Sequence, residues 1–177
     1  RNKESKMGLG SGAVKLYLEL WQRGLFKNIH SVVEMGSQEI HLTKEHFEEL
    51  IHSAGMNNYK EVDFQELVNW PGYPRVSSKP FYEMLGIEKY SCIDMNAYHE
   101  AILLDLNQPL EDKSLYGKFD LVTDHGTNEH VFNVAETYRT MHRLAKPDVY
   151  HALVDAAKES GDCHKQSYHF KIHPFFS

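Results

Sequence analysis

The apolar residues of the chain follow two kinds of pattern, helical spacing and short continuous runs. Spacing of three and four residues predicts amphipathic helices over residues 13–23, 43–54 and 131–145. A shorter helix is predicted at KPFYEMLG, residues 79–86, and a further one at DVYHALVDAAKESG, residues 148–161, because a glycine can end each of them. These helices are separated by segments with the second kind of pattern.

Continuous apolar runs are typical of strands that are covered on both faces, as in a parallel sheet. Four such runs stand at residues 31–34, 90–93, 101–105 and 119–124, and the alternating tail SYHFKIH predicts a half-exposed strand. The four runs share a carboxylate at or next to their ends: Glu34, Asp94, Asp105 and Asp124. Helices that alternate with parallel strands predict an α/β fold.

The position of these carboxylates predicts a ligand pocket. In open α/β sheets ligands bind at the edge where the carboxyl ends of the parallel strands meet, so we expect the four acidic side chains to lie along it. An alternative explains any one of them, because aspartate favours the turn from a strand into a loop. Four strand ends of the same kind favour the pocket.

Length and composition predict one domain. The chain has 177 residues, of which 41% are apolar, enough for a continuous core. Residues 1–12 are polar and are expected to form a disordered leader, and residues 13–177 to form a single domain. Periodicity is lost around WPGYP, so the region at about residues 40–88 is interpreted as an inserted, partly irregular segment.

Charge and cysteine content exclude some classes of partner. There are 19 basic and 25 acidic residues, a formal net charge of -6, and no cluster of Lys and Arg that could follow a phosphate backbone, so nucleic acid is not expected as a partner. No apolar stretch approaches the roughly 18 residues of a membrane span. Cys92 and Cys163 are far apart in the sequence, which favours a reducing, cytoplasmic setting.

Four segments in this order, VVEMGSQ, YSCIDMN, LLDLNQPL and FDLVTDHGTNEHVFN…MHRLAKP, carry a family resemblance. Together they resemble the class I S-adenosylmethionine-dependent methyltransferases, and most closely a bacterial subgroup with D-x-G-T-x-E-H-V-F-N after the fourth strand. The resemblance covers about residues 30–147. It implies a Rossmann-like, mostly parallel sheet flanked by helices, with S-adenosylmethionine across the carboxyl ends of the first, second and fourth strands and S-adenosylhomocysteine as the product.

The resemblance also implies which residues contact the nucleoside of that cofactor. Asp94, with Met95 beside it, resembles the acidic residue after the second strand, whose carboxylate accepts hydrogen bonds from the ribose hydroxyls. Asp105 and Leu106 resemble the pair beside the adenine, where the first accepts from the amino group and the second contacts the face of the ring.

Two further loops are implied at the methionine end of the cofactor. The first-strand motif that holds the methionine portion is represented by four residues: Glu34, Gly36, Ser37 and Gln38. The loop that passes near the transferable methyl group after the fourth strand is represented by three: Asp124, His125 and Gly126.

The sequence departs from the family pattern in two places. The first motif, EMGSQ, contains one glycine where the family has several. Pro147 is followed at once by the helical pattern of residues 148–161, where the family has two glycines and an apolar fifth strand. We therefore expect the later strands of the sheet to be incomplete, with residues missing near the Pro147–Asp148 junction.

Methyl transfer to a hydroxyl or an amine requires a group that removes a proton, and the resemblance places the loop after the fourth strand near the methyl group. His130 is the first candidate for this general base and His125 the second, while Glu129 could orient one of the rings. Alternatively, Glu129 and His130 cap the helix that follows.

Metal binding is not predicted. The spacing of HGTNEH matches neither H-E-x-x-H nor H-x-x-E-H, and the tail donors Cys163, His164, His169 and His173 lack a second cysteine pair. The sequence thus predicts a methyltransferase for a small-molecule acceptor, and leaves open whether copies of the chain form a homo-oligomer. The competing hypothesis is a non-catalytic methyltransferase-like protein that serves in binding or assembly.

Overall fold

The computed structural model describes residues 8–64 and 76–147 with their side chains, and two later strands by their backbone. The main sheet has six strands: β1 (Ser31–Met35), β4 (Lys89–Asp94), β5 (Ile102–Leu103), β6 (Leu121–Asp124), β7 (His151–Ala157) and β8 (Ser167–His173). Two shorter strands, β2 (Glu39–Ile40) and β3 (Val76–Ser77), form a separate antiparallel pair.

The strand order of the main sheet is β5-β4-β1-β6-β7-β8. All neighbours are parallel except β7 and β8, which are antiparallel. Counted along the main sheet alone, its first five strands lie in the order 3-2-1-4-5, which is the Rossmann-like arrangement. The predicted α/β fold with a mostly parallel sheet is therefore confirmed. The direction of the crossovers reverses between β1 and β6, and this is the position where ligands bind in sheets of this kind.

Among the described residues, four α-helices flank the sheet: α1 (Ser11–Gln22), α2 (Lys44–Ser53), α3 (Lys79–Met84) and α4 (Val134–Leu144). Their bounds lie within three residues of the predicted starts and ends. Thr43 accepts a hydrogen bond from the backbone nitrogen of His46 and so caps α2, and Asn133 caps α4 in the same way.

Two apolar clusters cover opposite faces of the sheet. Successive residues of a strand point to opposite faces, and Val32 belongs to one cluster while Val33 belongs to the other. The first cluster packs β1 against α1, α2 and α3, and the second packs it against α4. All five residues of β1 are buried, which explains why its apolar run is continuous. Cys92 is buried in the sheet, as expected of a small apolar thiol.

The amino-terminal segment is ordered from the first residues that the structure describes. Leu9 is fully buried and forms a parallel bridge with Ile40, and α1 begins at Ser11. Residues 8–12 of the expected leader therefore belong to the packed structure. Leu9 accounts for this, because it is an apolar residue with a place in the first cluster.

The prediction for residues 148–161 is wrong. Their described part, His151–Ala157, is a strand that pairs in parallel with β6 and antiparallel with β8. A run rich in alanine and leucine has helical propensity, but pairing on both sides outweighs it. The sheet thus continues beyond β6 with β7 and β8, while the expectation of residues missing near the Pro147–Asp148 junction stays a prediction.

One further prediction changed in detail. The strand predicted over residues 101–105 is limited to Ile102–Leu103. Residues 59–64 contain no helix or strand. The WPGYP stretch lies outside the described residues. In the part of the chain that the structure describes, every helix is too short or too polar to cross a bilayer.

Candidate functional site

The loops after β1 and β4 are tied together at the carboxyl edge of the sheet. The backbone nitrogen and the hydroxyl of Ser37 both donate to Oδ2 of Asp94, at 2.8 and 2.9 Å, and the backbone nitrogen of Asn96 donates to Oδ1 at 3.2 Å. Partial burial acts to raise the pKa of Asp94, but the bonds from Ser37 outweigh it and lower the pKa. Asp94 is therefore an ionised, half-buried acceptor at a strand end.

The loop after β5 holds a second ionised carboxylate. Asn107 donates twice to Oδ1 of Asp105, from its backbone nitrogen at 2.9 Å and from its side chain at 2.8 Å, and these bonds lower the pKa of Asp105. Asn107 in turn accepts from the backbone nitrogen of Asn133 at 2.9 Å, which joins this loop to the start of α4. Leu106 is buried in the second cluster, whereas Met95 is 73% exposed.

At the switch point, the loops after β1 and β6 are joined by an amide and a hydroxyl. Nε2 of Gln38 donates to the carbonyl of Met35 at 2.9 Å and to Oγ1 of Thr127 at 2.8 Å. The Thr127 hydroxyl donates to the same carbonyl at 2.8 Å. Asp124 is buried and its Oδ1 accepts from the backbone nitrogen of Thr127 at 2.9 Å. Asp124 thus shapes its own loop, as the turn alternative predicts.

Gly36 lies where these loops meet and has a left-handed backbone with φ of 82°. A Cβ atom at this position would lie 2.2 Å from Oγ1 of Thr127 and 2.7 Å from Nε2 of Gln38, so only glycine is accommodated. The backbone of Gly36 donates to the carbonyl of Ile93 at 2.7 Å. The space beside Gly36 is accordingly filled by two polar side chains of the chain itself.

Glu34 does not lie at the edge with the other acidic residues. Its side chain is on the α3 side of β1, is fully buried and accepts hydrogen bonds from three hydroxyls, those of Ser78, Tyr82 and Tyr90, the latter two at 2.8 Å. Burial raises the pKa of Glu34 to about 7, and the hydroxyl bonds offset only part of this effect. These three partners, which the sequence did not indicate, make Glu34 part of a polar cluster inside the core.

His125 is buried beside the same cluster. Its Nε2 lies 3.1 Å from the hydroxyl of Tyr17, and that hydroxyl accepts from Tyr82 at 3.5 Å. Burial lowers the pKa of His125 to about 4, so the ring is neutral at physiological pH. An imidazole enclosed in this way reaches an acceptor only after a rearrangement, and the role of His125 as a base stays a prediction.

His130 and Glu129 form an accessible pair in the short 3₁₀ helix Asn128–His130. Nε2 of His130 lies 3.4 Å from Oε1 of Glu129, and the side chains are 53% and 48% exposed. A Cβ at Gly126 would lie 3.7 Å from the same Glu129 oxygen, so the carboxylate passes close over the loop after β6. Because α4 begins only at Val134 and is capped by Asn133, neither member of the pair caps it.

The comparisons with known proteins add little to this description. No protein-family model matches the chain. No curated protein matches it either. Among solved structures, it is similar to the crystal structure of the trans-methyltransferase CalH in complex with SAH, with 13% sequence identity and a TM-score of 0.39. The match covers 81% of this chain and 39% of that one, so the chain spans about two fifths of that protein's length. The assignment of the fold depends on the strand order instead.

Within the residues whose side chains are described, no three His, Cys, Asp or Glu side chains are grouped so that they could hold a metal ion. Cys163 and His164 lie outside the described residues, and His169 and His173 are described by their backbone in β8.

Proposed function

We propose that this chain is an S-adenosylmethionine-dependent methyltransferase that acts on a small-molecule acceptor. The observation that carries the proposal is the pair of ionised carboxylates, Asp94 and Asp105, at the carboxyl ends of adjacent strands in a Rossmann-like sheet. The resemblance of the sequence segments to the methyltransferase motifs also supports the proposal. A nucleoside with a ribose diol and an exocyclic amino group suits this arrangement of acceptors.

The nucleoside end of such a ligand fits the chain well. A carboxylate offers about four acceptor positions, and the one on Asp94 that the two bonds from Ser37 and the bond from Asn96 leave unused would accept a ribose hydroxyl. Both hydrogen bonds from Asn107 end on Oδ1 of Asp105, so Oδ2 would accept from the amino group of the base. Exposed Met95 would cover one face of the ring.

The methionine end of the ligand would be held by the loop after β1 and not by Glu34. Because Glu34 is buried, it would not touch this end of the ligand. It would instead stabilise β1 on the side that faces α3. The backbone and side chains of Gly36, Ser37 and Gln38 would hold the amino-acid portion, while Thr127 keeps the neighbouring loop in place.

The cofactor, when bound, supplies an electrophilic methyl group on a sulfonium sulfur. The contribution of the chain is to align the acceptor and to remove its proton. His130 would receive that proton at an imidazole nitrogen, with Glu129 orienting the ring through the 3.4 Å contact and stabilising the imidazolium.

One observation favours the second candidate function, a non-catalytic methyltransferase-like binding or assembly protein. The Gln38 amide and the Thr127 hydroxyl occupy the space beside Gly36, where the first motif of a methyltransferase approaches its ligand. In the catalytic proposal these two side chains must exchange their mutual hydrogen bond for contacts with the cofactor.

Calorimetric titration of the folded, intact chain with S-adenosylhomocysteine and then with S-adenosylmethionine separates the two functions. Micromolar dissociation constants support the methyltransferase, and transfer of a labelled methyl group from S-adenosylmethionine into the small molecules of a deproteinised extract extends it to catalysis. A folded sample that binds neither ligand overturns the catalytic proposal and favours the second function.

A further inference from the structure

The turn after β4 contains two consecutive residues with a strained backbone. His99 has φ of 55° and ψ of 32°, and Glu100 has φ of 58°. The left-handed region is unfavourable for residues with a Cβ, and two such residues in series without glycine are unusual. Strain of this kind persists only where the surrounding structure holds it, and it is concentrated at functional sites.

A buried contact between two side chains holds this turn. Nε2 of His99 lies 3.3 Å from Oε1 of Glu39, which belongs to β2, and the two side chains are only 9% and 11% exposed. The carbonyl of His99 also accepts a weak hydrogen bond from the Cys92 thiol at 3.7 Å. The ring and the backbone of His99 are therefore both fixed, one by the loop region after β1 and one by β4.

The pair lies next to the Asp94–Ser37 contact. Glu39 is two residues after Ser37, and His99 is five residues after Asp94. The same two chain segments are therefore joined by two side-chain contacts. The hydrogen bonds of Ser37 go to the carboxylate that is proposed to bind ribose. The Glu39–His99 contact holds the carboxyl-terminal part of the turn and joins it to the small β2–β3 sheet.

We propose that Glu39 and His99 are a positioning pair, which holds the turn of residues 94–101 in its strained form so that Asp94 is preorganised for the diol of an adenosine-type nucleoside. This inference depends on the proposed function, since it concerns the same site. Because contacts within the chain hold the strained turn, the ligand is spared the cost of ordering it. Neither residue touches the ligand.

The pair is tested with S-adenosylhomocysteine as the probe and titration calorimetry as the measurement. His99→Ala should weaken binding by about tenfold or more, because the turn can then relax away from the bound geometry. His99→Gln can still donate a hydrogen bond to Glu39 and should recover most of the affinity. His30→Ala is the matched control, since it removes an exposed His–Glu pair, 3.8 Å from Glu88, just before β1. Its affinity should stay within about twofold of the wild type.

Glu100→Gly distinguishes positioning from a purely structural role, and does not depend on whether His99→Ala folds. Glycine accepts the left-handed conformation without strain, so this exposed substitution should raise the thermal midpoint. A positioning role predicts weaker binding in this more stable variant, because the turn gains alternative conformations. Wild-type affinity in both Glu100→Gly and His99→Ala overturns this inference and leaves the proposed function standing. A wild-type chain that does not bind the probe overturns the proposed function and this inference with it.

Discussion

Ser37 donates two hydrogen bonds to one oxygen of Asp94, from its backbone nitrogen at 2.8 Å and from its hydroxyl at 2.9 Å. This contact joins the loops after two adjacent parallel strands, β1 and β4. It also directs the remaining acceptor capacity of the carboxylate toward the edge of the sheet, where the proposed ribose would lie. The two residues are 57 positions apart in the sequence, so the fold alone brings them together.

Asp94→Asn tests the nucleoside contact. The amide keeps the shape of the carboxylate but loses its charge and half of its acceptor capacity. We expect the dissociation constant for S-adenosylhomocysteine to rise about tenfold to a hundredfold, or about 1.4 to 2.8 kcal/mol, in calorimetric titration. Asp112→Asn is the matched control, because Asp112 accepts from the backbone of Ser114 at 2.9 Å in an exposed turn of similar design. Equal losses in the two variants would remove Asp94 from the ligand contact.

Glu34→Gln tests the buried carboxylate through the pH dependence of stability. Burial raises the pKa of Glu34 from 4.5 to about 7, so the folded chain favours the protonated form. Its contribution to stability is fully present below about pH 4.5 and is lost as the pH rises through 7, on the order of 3 kcal/mol in total. The glutamine variant should show no such loss.

The measurement is urea unfolding of the wild type and of Glu34→Gln at a series of pH values, since the difference between the two curves cancels the other titrating groups. The difference should grow in favour of the variant between about pH 4.5 and 7 and then remain constant. A constant difference between wild type and Glu34→Gln would mean that the buried site does not perturb the carboxyl group.

His125→Gln should change stability in the opposite direction with pH. Burial lowers the pKa of His125 from 6.5 to about 4, so the folded chain favours the neutral ring. The stability that the neutral ring contributes is fully present above about pH 6.5 and is lost as the pH falls toward 4, again on the order of 3 kcal/mol. The variant should resist acid better than the wild type in urea unfolding below pH 6. An unchanged acid limb of the stability curve would show that the ring is accessible to protons in the folded state.

The strands and helices around β1 could be predicted because their patterns are decided locally. Every residue of β1 and β6 is buried, so apolar residues stand next to each other in both strands, and an aspartate marks the ends of β4 and β6. β7 could not be predicted in this way. Its sequence has the composition of a helix, and only its neighbours β6 and β8 make it a strand.

The candidate site could be predicted in its position but only partly in its contents. The carboxyl edge follows from topology, and Asp94 and Asp105 lie there as expected. Glu34 belongs to β1, and successive side chains of a strand point to opposite faces of the sheet. The side chain of Glu34 therefore points toward α3 and into the core. The Glu39–His99 contact joins residues 60 positions apart and depends on a strained backbone, for which the sequence has no local signal.

His130→Ala tests the proposed base, because the exposed ring is the accessible imidazole of the loop after β6. Loss of a general base typically lowers turnover by about a hundredfold to ten-thousandfold, while the affinity for S-adenosylhomocysteine should stay within about twofold. The rate is measured as transfer of labelled methyl groups into the small-molecule fraction of a deproteinised extract. Glu129→Gln should cause a smaller loss, since it removes only the partner that orients the ring, and His30→Ala should cause none. Full turnover in His130→Ala would exclude it as the base, and the alignment of the acceptor would then account for catalysis.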